Sequence, residues 1–447
     1  MYWLLYQSQQ GTQLKYLGPF LPASDFGTLG NKEDYMEIFT VITLLCGIST
    51  FFSFINARWI KLPSVIGVML LAIISALFTL FAGKFFPIFS HLVFVLSEEI
   101  DFSKTLLDIM LGFLLFASAL HIDINKLRNN LYAVIVISTV GVVISAFLFG
   151  TITFYVTAWL SLHVPFIYCL VFGALAAPTD AVAVAALLKE SKMPPRLENI
   201  ISGESLFNDG IGIVLFITFL EIITVPDKAF SFGSVAVLFA QEVLGGFALG
   251  GALGWIAYRM MRSVSDFQTV VLISITLVMS ICVLSGLLHV SIPLAAVSAG
   301  LLVGSRCFDT SAADPKTGEY LGRIWRLIDE LLNTLLFVLI GLQLVSVSFT
   351  GSYIWIGTIS IFSLLLARLL SIVLPLILLR RTLRIHINNS LILTWGGLRG
   401  GISVALALSL PDSPYRDLII TASFCIVVFS VLFQGLTLNK VINRLID

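Results

Sequence analysis

Long apolar stretches follow one another along almost the whole chain. About twenty consecutive apolar residues span the hydrocarbon core of a bilayer, where a helix must satisfy its own backbone. Thirteen such runs occur, near residues 36–55, 62–82, 105–121, 131–157, 165–188, 200–224, 233–257, 267–288, 292–305, 329–347, 353–379, 389–410 and 417–438. Only 12% of the 447 residues are charged and 58% are hydrophobic, whereas soluble domains carry roughly 25% charged residues. A soluble globule of this composition could not cover itself with polar groups. The sequence therefore predicts an all-α polytopic membrane protein with about thirteen transmembrane helices. Net charge is zero, and the largest basic cluster is Arg380, Arg381 and Arg384, so a nucleic-acid partner has no electrostatic footprint. The five cysteines show no paired spacing and no disulfide framework. The opening "MYWLLYQSQQ" has no basic start and no long apolar core, unlike an ordinary signal peptide.

Basic residues set the expected orientation, because cytoplasmic loops hold more lysine and arginine. The alternate loops that begin after the first run carry eighteen basic residues, and the other set carries six. This places the N-terminus outside and the C-terminus in the cytoplasm. Two basic residues, Arg368 and Arg399, are left inside spans.

Two runs carry helix breakers. The fifth contains "GALAAPTDAVAVAAL", in which Pro178 has no N–H to donate to the carbonyl of Ala174. The twelfth contains "TWGGLRGGISVALAL", with four glycines in six residues around Arg399. With the seventh run set aside as a linker, the chain divides into two sets of six, and the break falls in the fifth member of each. A shift of seven spans reverses membrane orientation. The predicted fold is thus two inverted six-helix repeats with two broken helices crossing in a core. The corresponding division is an extracytoplasmic segment 1–35, repeat one over 36–224, a linking span 233–257, repeat two over 267–438 and a short cytoplasmic tail 439–447.

Acids inside spans are costly, about 2.5–3.5 kcal/mol each at mid-bilayer on insertion scales, and so mark function. The stretch "SGESLFNDG" holds Glu204, Asn208 and Asp209. Residues four apart share a helix face. Ser205 and Asp209 form one pair, expected to look into a cavity. Glu204 and Asn208 form another, expected to face a neighbouring helix. Asp180 follows the break at Pro178, which frees backbone carbonyls such as that of Thr179 or a neighbour. Two carboxylates, a hydroxyl and a carbonyl make a hard oxygen cage suited to a small bare cation. Protons and cations would compete for those oxygens, because a bound cation and a bound proton each neutralise a buried carboxylate. Arg368 needs an acid, and Glu204 is the unclaimed candidate, with a ligand role for Glu204 as the alternative. Arg399 would compensate the partial charges of half-helix ends, or else snorkel to the surface. Glu330 and Asn333 open the tenth run, where helix N-terminal polar residues are ordinary.

The motifs "GALAAPTDAVAVAALLKE" and "ISGESLFNDGIGIVLF" together resemble the sodium/proton antiporters of the cation:proton antiporter superfamily, in the electroneutral exchanger branch. "LGFLLFASALHIDINKLR", Arg368 with Ser371, and "WGGLRGGISVALAL" are similar to that family too, so the resemblance covers about residues 36–440. It implies exchange of sodium, possibly lithium, for protons, with no cofactor. It implies Asp180 and Asp209 as ion and proton carriers, and Ser205 and the Thr179 backbone as the rest of the cation shell. It further implies a Glu204–Arg368 core contact, a homodimer embedded in membrane lipid, and elevator-like motion of a core built from spans 4–6 and 11–13, the remainder forming the dimerisation domain. Electrogenic relatives carry a second acid where this chain has Asn208, which points to one-to-one exchange. Potassium/proton exchange is the nearest alternative. An intramembrane aspartyl protease also needs two aspartates, but it would leave Ser205, Asn208 and the second broken helix without a role. The chain is therefore read as a carrier and not an enzyme.

Overall fold

The computed structural model describes residues 32–83, 106–180, 184, 193–224, 232–264, 266–307, 315–346, 351–379 and 389–446. Residues 1–31, which are most of the expected N-terminal segment, residues 84–105 and most of 181–192 lie outside the described residues. Every described element is helical. In chain order these are α1 (Lys32–Ile55), α2 (Ser64–Gly83), α3 (Leu111–Leu120), α4 (Ile124–Val136), α5 (Val142–Trp159), α6 (Phe166–Ala176), α7 (Pro195–Thr224) and α8 (Phe232–Arg262). There follow α9 (Phe267–Leu288), α10 (Ile292–Cys307), α11 (Pro315–Ser346), α12 (Gly351–Leu378), α13 (Ser390–Trp395), α14 (Gly401–Leu408), α15 (Arg416–Phe429) and α16 (Leu436–Ile446). Among the described residues seven helices are long and apolar enough to cross a membrane, or eight if the bent pair Ile42–Ile60 and Ser64–Thr79 is one span.

Polar residues at helix ends set several boundaries. Asp123 accepts hydrogen bonds from the N–H groups of Asn125 and Lys126 at the start of α4. Asp266 does the same for Thr269 at the start of α9, and those bonds hold its carboxyl below the usual range. Before α2, Lys61 turns into the left-handed region, and the Asn56 amide binds both the N–H and the C=O of Leu62. Wider helical turns occur among the described residues at Asn56–Ile60, Leu106–Met110, Ile137–Gly141 and Ser430–Gly435, the last two ending in a glycine. The α11 helix begins at Pro315, so Asn333 lies deep within it rather than at its opening.

From Ser49 onward the chain forms one compact unit. Within it, α4–α7 pack with one another and with α12–α15, while α3, α8, α10 and α11 form a second closely packed set. The span of α7 is 67% buried within the protein, against 17% for that of α8. The helix that carries Glu204 and Asp209 is thus well inside the bundle, whereas α8 is largely exposed. The α8–α10 contact depends on small residues. A Cβ on Gly246 would lie 2.8 Å from the Ser291 carbonyl, one on Gly250 would collide with the Ala295 carbonyl, and one on Gly254 would lie 3.0 Å from Ala299 Cα. Membrane helices gain little from apolar burial against each other, so such close backbone approach supplies the attraction. Gly250→Val should therefore force α8 off α10, at about 1–3 kcal/mol for overpacking. Lower folded yield and a lower Tm in detergent are expected, and an unchanged melting curve would show that this contact does not hold α8 in place.

Candidate functional site

The site forms where two helices stop inside the bundle. The first, α6, ends at Ala176, and residues 177–180 continue without helical pairing. Pro178 cannot donate to the Ala174 carbonyl, and its ring packs onto α7 at Gly212, where any Cβ would strike it. The second break separates α13 from α14, with residues 396–400 unwound. Freed backbone groups need partners away from water. The N–H of Asp180 donates to the Leu398 carbonyl at 2.7 Å, which joins the two breaks directly. The N–H of Arg399 donates to Ser430 Oγ at 2.7 Å.

The broken ends also carry partial charges, negative at a helix C-terminus and positive at an N-terminus. Arg399, 2% exposed, answers the first, since its Nη1 donates to the carbonyls of Ala177 and Pro178 at the end of α6. Asp180 answers the second. Its carboxylate rests against Gly400, where α14 begins and where a Cβ would collide with it. A glycine is required there for the carboxylate to reach the helix start.

Four polar side chains converge around Thr179. Its hydroxyl shares a hydrogen bond with Ser205 Oγ at 2.9 Å and accepts one from Asn208 Nδ2 at 2.6 Å. Its N–H donates to Asn208 Oδ1 at 3.3 Å. The same Asn208 Nδ2 donates to Glu204 Oε1 at 2.7 Å. Glu204 in turn accepts a bidentate pair from Arg368, Nη1 to Oε1 at 3.0 Å and Nη2 to Oε2 at 2.7 Å, with both side chains 2% exposed. Among the described residues Arg368 Nε has no hydrogen-bond partner, and Arg368 lines a small cavity together with Thr394, Arg399 and Gln434.

Asp209 differs from these groups. Its side chain is buried, and among the described residues its carboxylate takes part in no hydrogen bond or ion pair. Asp180, Glu204 and Arg399 all act on it electrostatically. The site thus holds one fixed acid, Glu204, cancelled by Arg368, and a second pair, Asp180 and Asp209, close enough to feel each other. The oxygens gathered here are those of the two aspartates and the hydroxyls of Thr179 and Ser205.

Two features add to the sequence-based expectation. Asn208 shares the face of Glu204, to which it donates, and it also binds Thr179 beside Ser205. The side chain of Thr179, as well as its backbone, belongs to the network. Asp329, which drew no attention in the sequence, is half-buried in α11. Its Oδ1 accepts from Asn333 Nδ2 at 3.0 Å, and it acts electrostatically on Asp180. An Asp and an Asn four residues apart inside an apolar helix were the available signal.

Long apolar helices, two interrupted helices joined at their breaks and carboxylates buried beside them define an integral membrane protein with acids at its centre. The chain belongs to the sodium/hydrogen exchanger family, whose transmembrane region matches residues 41–444. It is 38% identical over 414 residues to the Na(+)/H(+) antiporter NhaP of Pseudomonas aeruginosa, covering 91% of this chain and 96% of that one. It is 28% identical over 425 residues to the Na(+)/H(+) antiporter NhaH of Halobacillus dabanensis, covering 92% and 98%. Its fold is similar to that of the sodium proton antiporter MjNhaP1 from Methanocaldococcus jannaschii, with a TM-score of 0.73 at 19% identity over 93% of this chain and all of that one.

The Glu204–Arg368 pair has a direct test. Breaking a buried pair from one side costs about 3–5 kcal/mol, because the remaining charge is stranded. Glu204→Gln and Arg368→Gln should each lower folded yield sharply, and the double variant should be less damaged than the two effects added. Additive losses would show that the two side chains act independently.

Proposed function

We propose that this protein exchanges sodium, and possibly lithium, for protons across a cell membrane by alternating access. Asp180 and Asp209 take the ions in turn, with Ser205 and Thr179 completing the oxygen shell of the cation. The observation that carries this reading is Asp209, a buried carboxylate with no fixed partner among the described residues beside a second aspartate and two hydroxyls. A structural acid at this depth would be paired, as Glu204 is. Leaving it unpaired makes sense where a mobile cation or proton is the partner. The names of the matched relatives favour sodium over potassium.

The wider architecture belongs to the same proposal. Thirteen spans form two inverted repeats, with the N-terminus outside and the C-terminus in the cytoplasm. Spans 4–6 and 11–13 form a moving core in an elevator-like cycle, and the rest form the dimerisation domain of a homodimer in the lipid bilayer. Exchange is one-to-one. Glu204 is neutralised by Arg368, and Asn208, engaged with Thr179 and Glu204, adds no charge. If a sodium ion cancels one carboxylate charge on one leg, one proton restores the same net charge on the other.

Proteoliposomes with an internal pH dye should show proton movement driven by sodium and by lithium, tested separately from potassium. Asp180→Asn and Asp209→Asn should each abolish it while folding normally. Near-normal exchange in either folded variant would refute the assigned roles, and exchange driven by potassium alone would move the substrate to the alternative ion. The sodium gradient that nulls the pH signal should not move with an imposed membrane potential. A cycle carrying one net charge would shift that point by about 2.3 kcal/mol per 100 mV.

A further inference from the structure

Asp329 lies outside the Thr179 network but is tied to it by the surface of α11. On that helix, residues 329, 333, 336 and 340 fall on one stripe. The stripe meets the second break at one end. A Cβ on Gly401 would lie 2.6 Å from Ile340 Cδ1 and 2.9 Å from Leu336 Cγ, and the preceding Gly400 rests against the Asp180 carboxylate. From Leu336 the stripe runs back through Asn333 to Asp329, about 10 Å along the helix axis. Asn333 is buried, and its Nδ2 donates to both the carboxylate and the carbonyl oxygen of Asp329, at 3.0 and 2.9 Å. The carboxylate is therefore held in place, half-buried, on the face of α11 that leads to Asp180. Among the described residues no ion pair includes it, and Arg323, two turns earlier, pairs with Glu319 at 2.6 Å.

A sodium ion bound for a buried site must lose its water in stages. A fixed carboxylate at the edge of the site raises the local cation concentration and supplies an oxygen before the inner ones are reached. Resting on the exchange proposed above, we propose that Asp329 is the transfer carboxylate of this carrier. It takes the entering cation at the rim of the site and passes it to Asp180, with Asn333 as its positioning residue. No bond is made or broken, and the cation exchanges one set of oxygen ligands for the next.

The test is sodium-dependent exchange by the full chain in proteoliposomes, with wild type, Asp329→Asn, Asp329→Glu and Asn333→Ala. Asp329→Asn should raise the sodium concentration for half-maximal rate by about ten-fold. Its rate at saturating sodium should stay within about two-fold of wild type, as expected when binding rather than the transport step is weakened. Asp329→Glu should restore the affinity, and Asn333→Ala should shift it in the same direction by less. Unchanged half-saturation in Asp329→Asn, or equal loss in the Asn and Glu variants, would overturn the transfer role. Should Asp329→Asn fail to fold, unchanged affinity in Asn333→Ala would overturn it instead. Wild-type vesicles without sodium/proton exchange would sink the functional reading itself, whereas a variant indistinguishable from an active wild type sinks only the role of Asp329.

Discussion

Everything at the centre of this protein follows from how two broken helix ends are satisfied away from water. A helix interrupted inside an apolar bundle leaves carbonyls at one end and N–H groups at the other. In water these would be solvated at little cost. Here Arg399 covers the carbonyls that end α6, Asp180 sits at the start of α14, and the Asp180 N–H reaches the Leu398 carbonyl between the two. The arrangement brings an acid to the middle of the bundle and holds it there by backbone contacts on both sides.

The remaining charges divide into fixed and free. Glu204 and Arg368 cancel through two hydrogen bonds, and Asn208 links that pair to Thr179. The pair thus ties α7 to α12. Asp209, on the same helix as Glu204, lacks such a partner among the described residues. Two buried acids five residues apart on α7 thus differ in whether a fixed partner cancels them among the described residues.

Much of this was legible in the chain. The apolar runs needed no periodicity to be read, because length and lack of charge suffice. Pro178 and the four glycines around Arg399 marked both breaks. A lone intramembrane arginine called for an acid, which led from Arg368 to Glu204. The seating of the Pro178 ring against Gly212 is not legible, since it is a contact between residues 34 positions apart in the chain. Nor does helical spacing reveal that Asn208, on the face of Glu204, also reaches Thr179. Asp329 was hidden for a different reason. The hydropathy pattern started the tenth span near residue 329, whereas the helix starts at Pro315, so a mid-helix acid looked like an ordinary helix opening. The wider turns at Ile137–Gly141 and Ser430–Gly435 each carry only a single glycine within an apolar run, too weak a signal to mark them, and Ser430 supplies the partner for the Arg399 N–H.

The central claim is that cation and proton contend for the same two buried carboxylates. Proton release on cation binding tests this without any transport step. Sodium chloride is titrated into weakly buffered purified protein in detergent, with choline chloride as the control, and the pH of the bulk is recorded. The account requires a saturable release of protons with sodium, none with choline, and none from the Asp180→Asn, Asp209→Asn double variant. Sodium binding measured by calorimetry on the same sample with no accompanying proton release would contradict it.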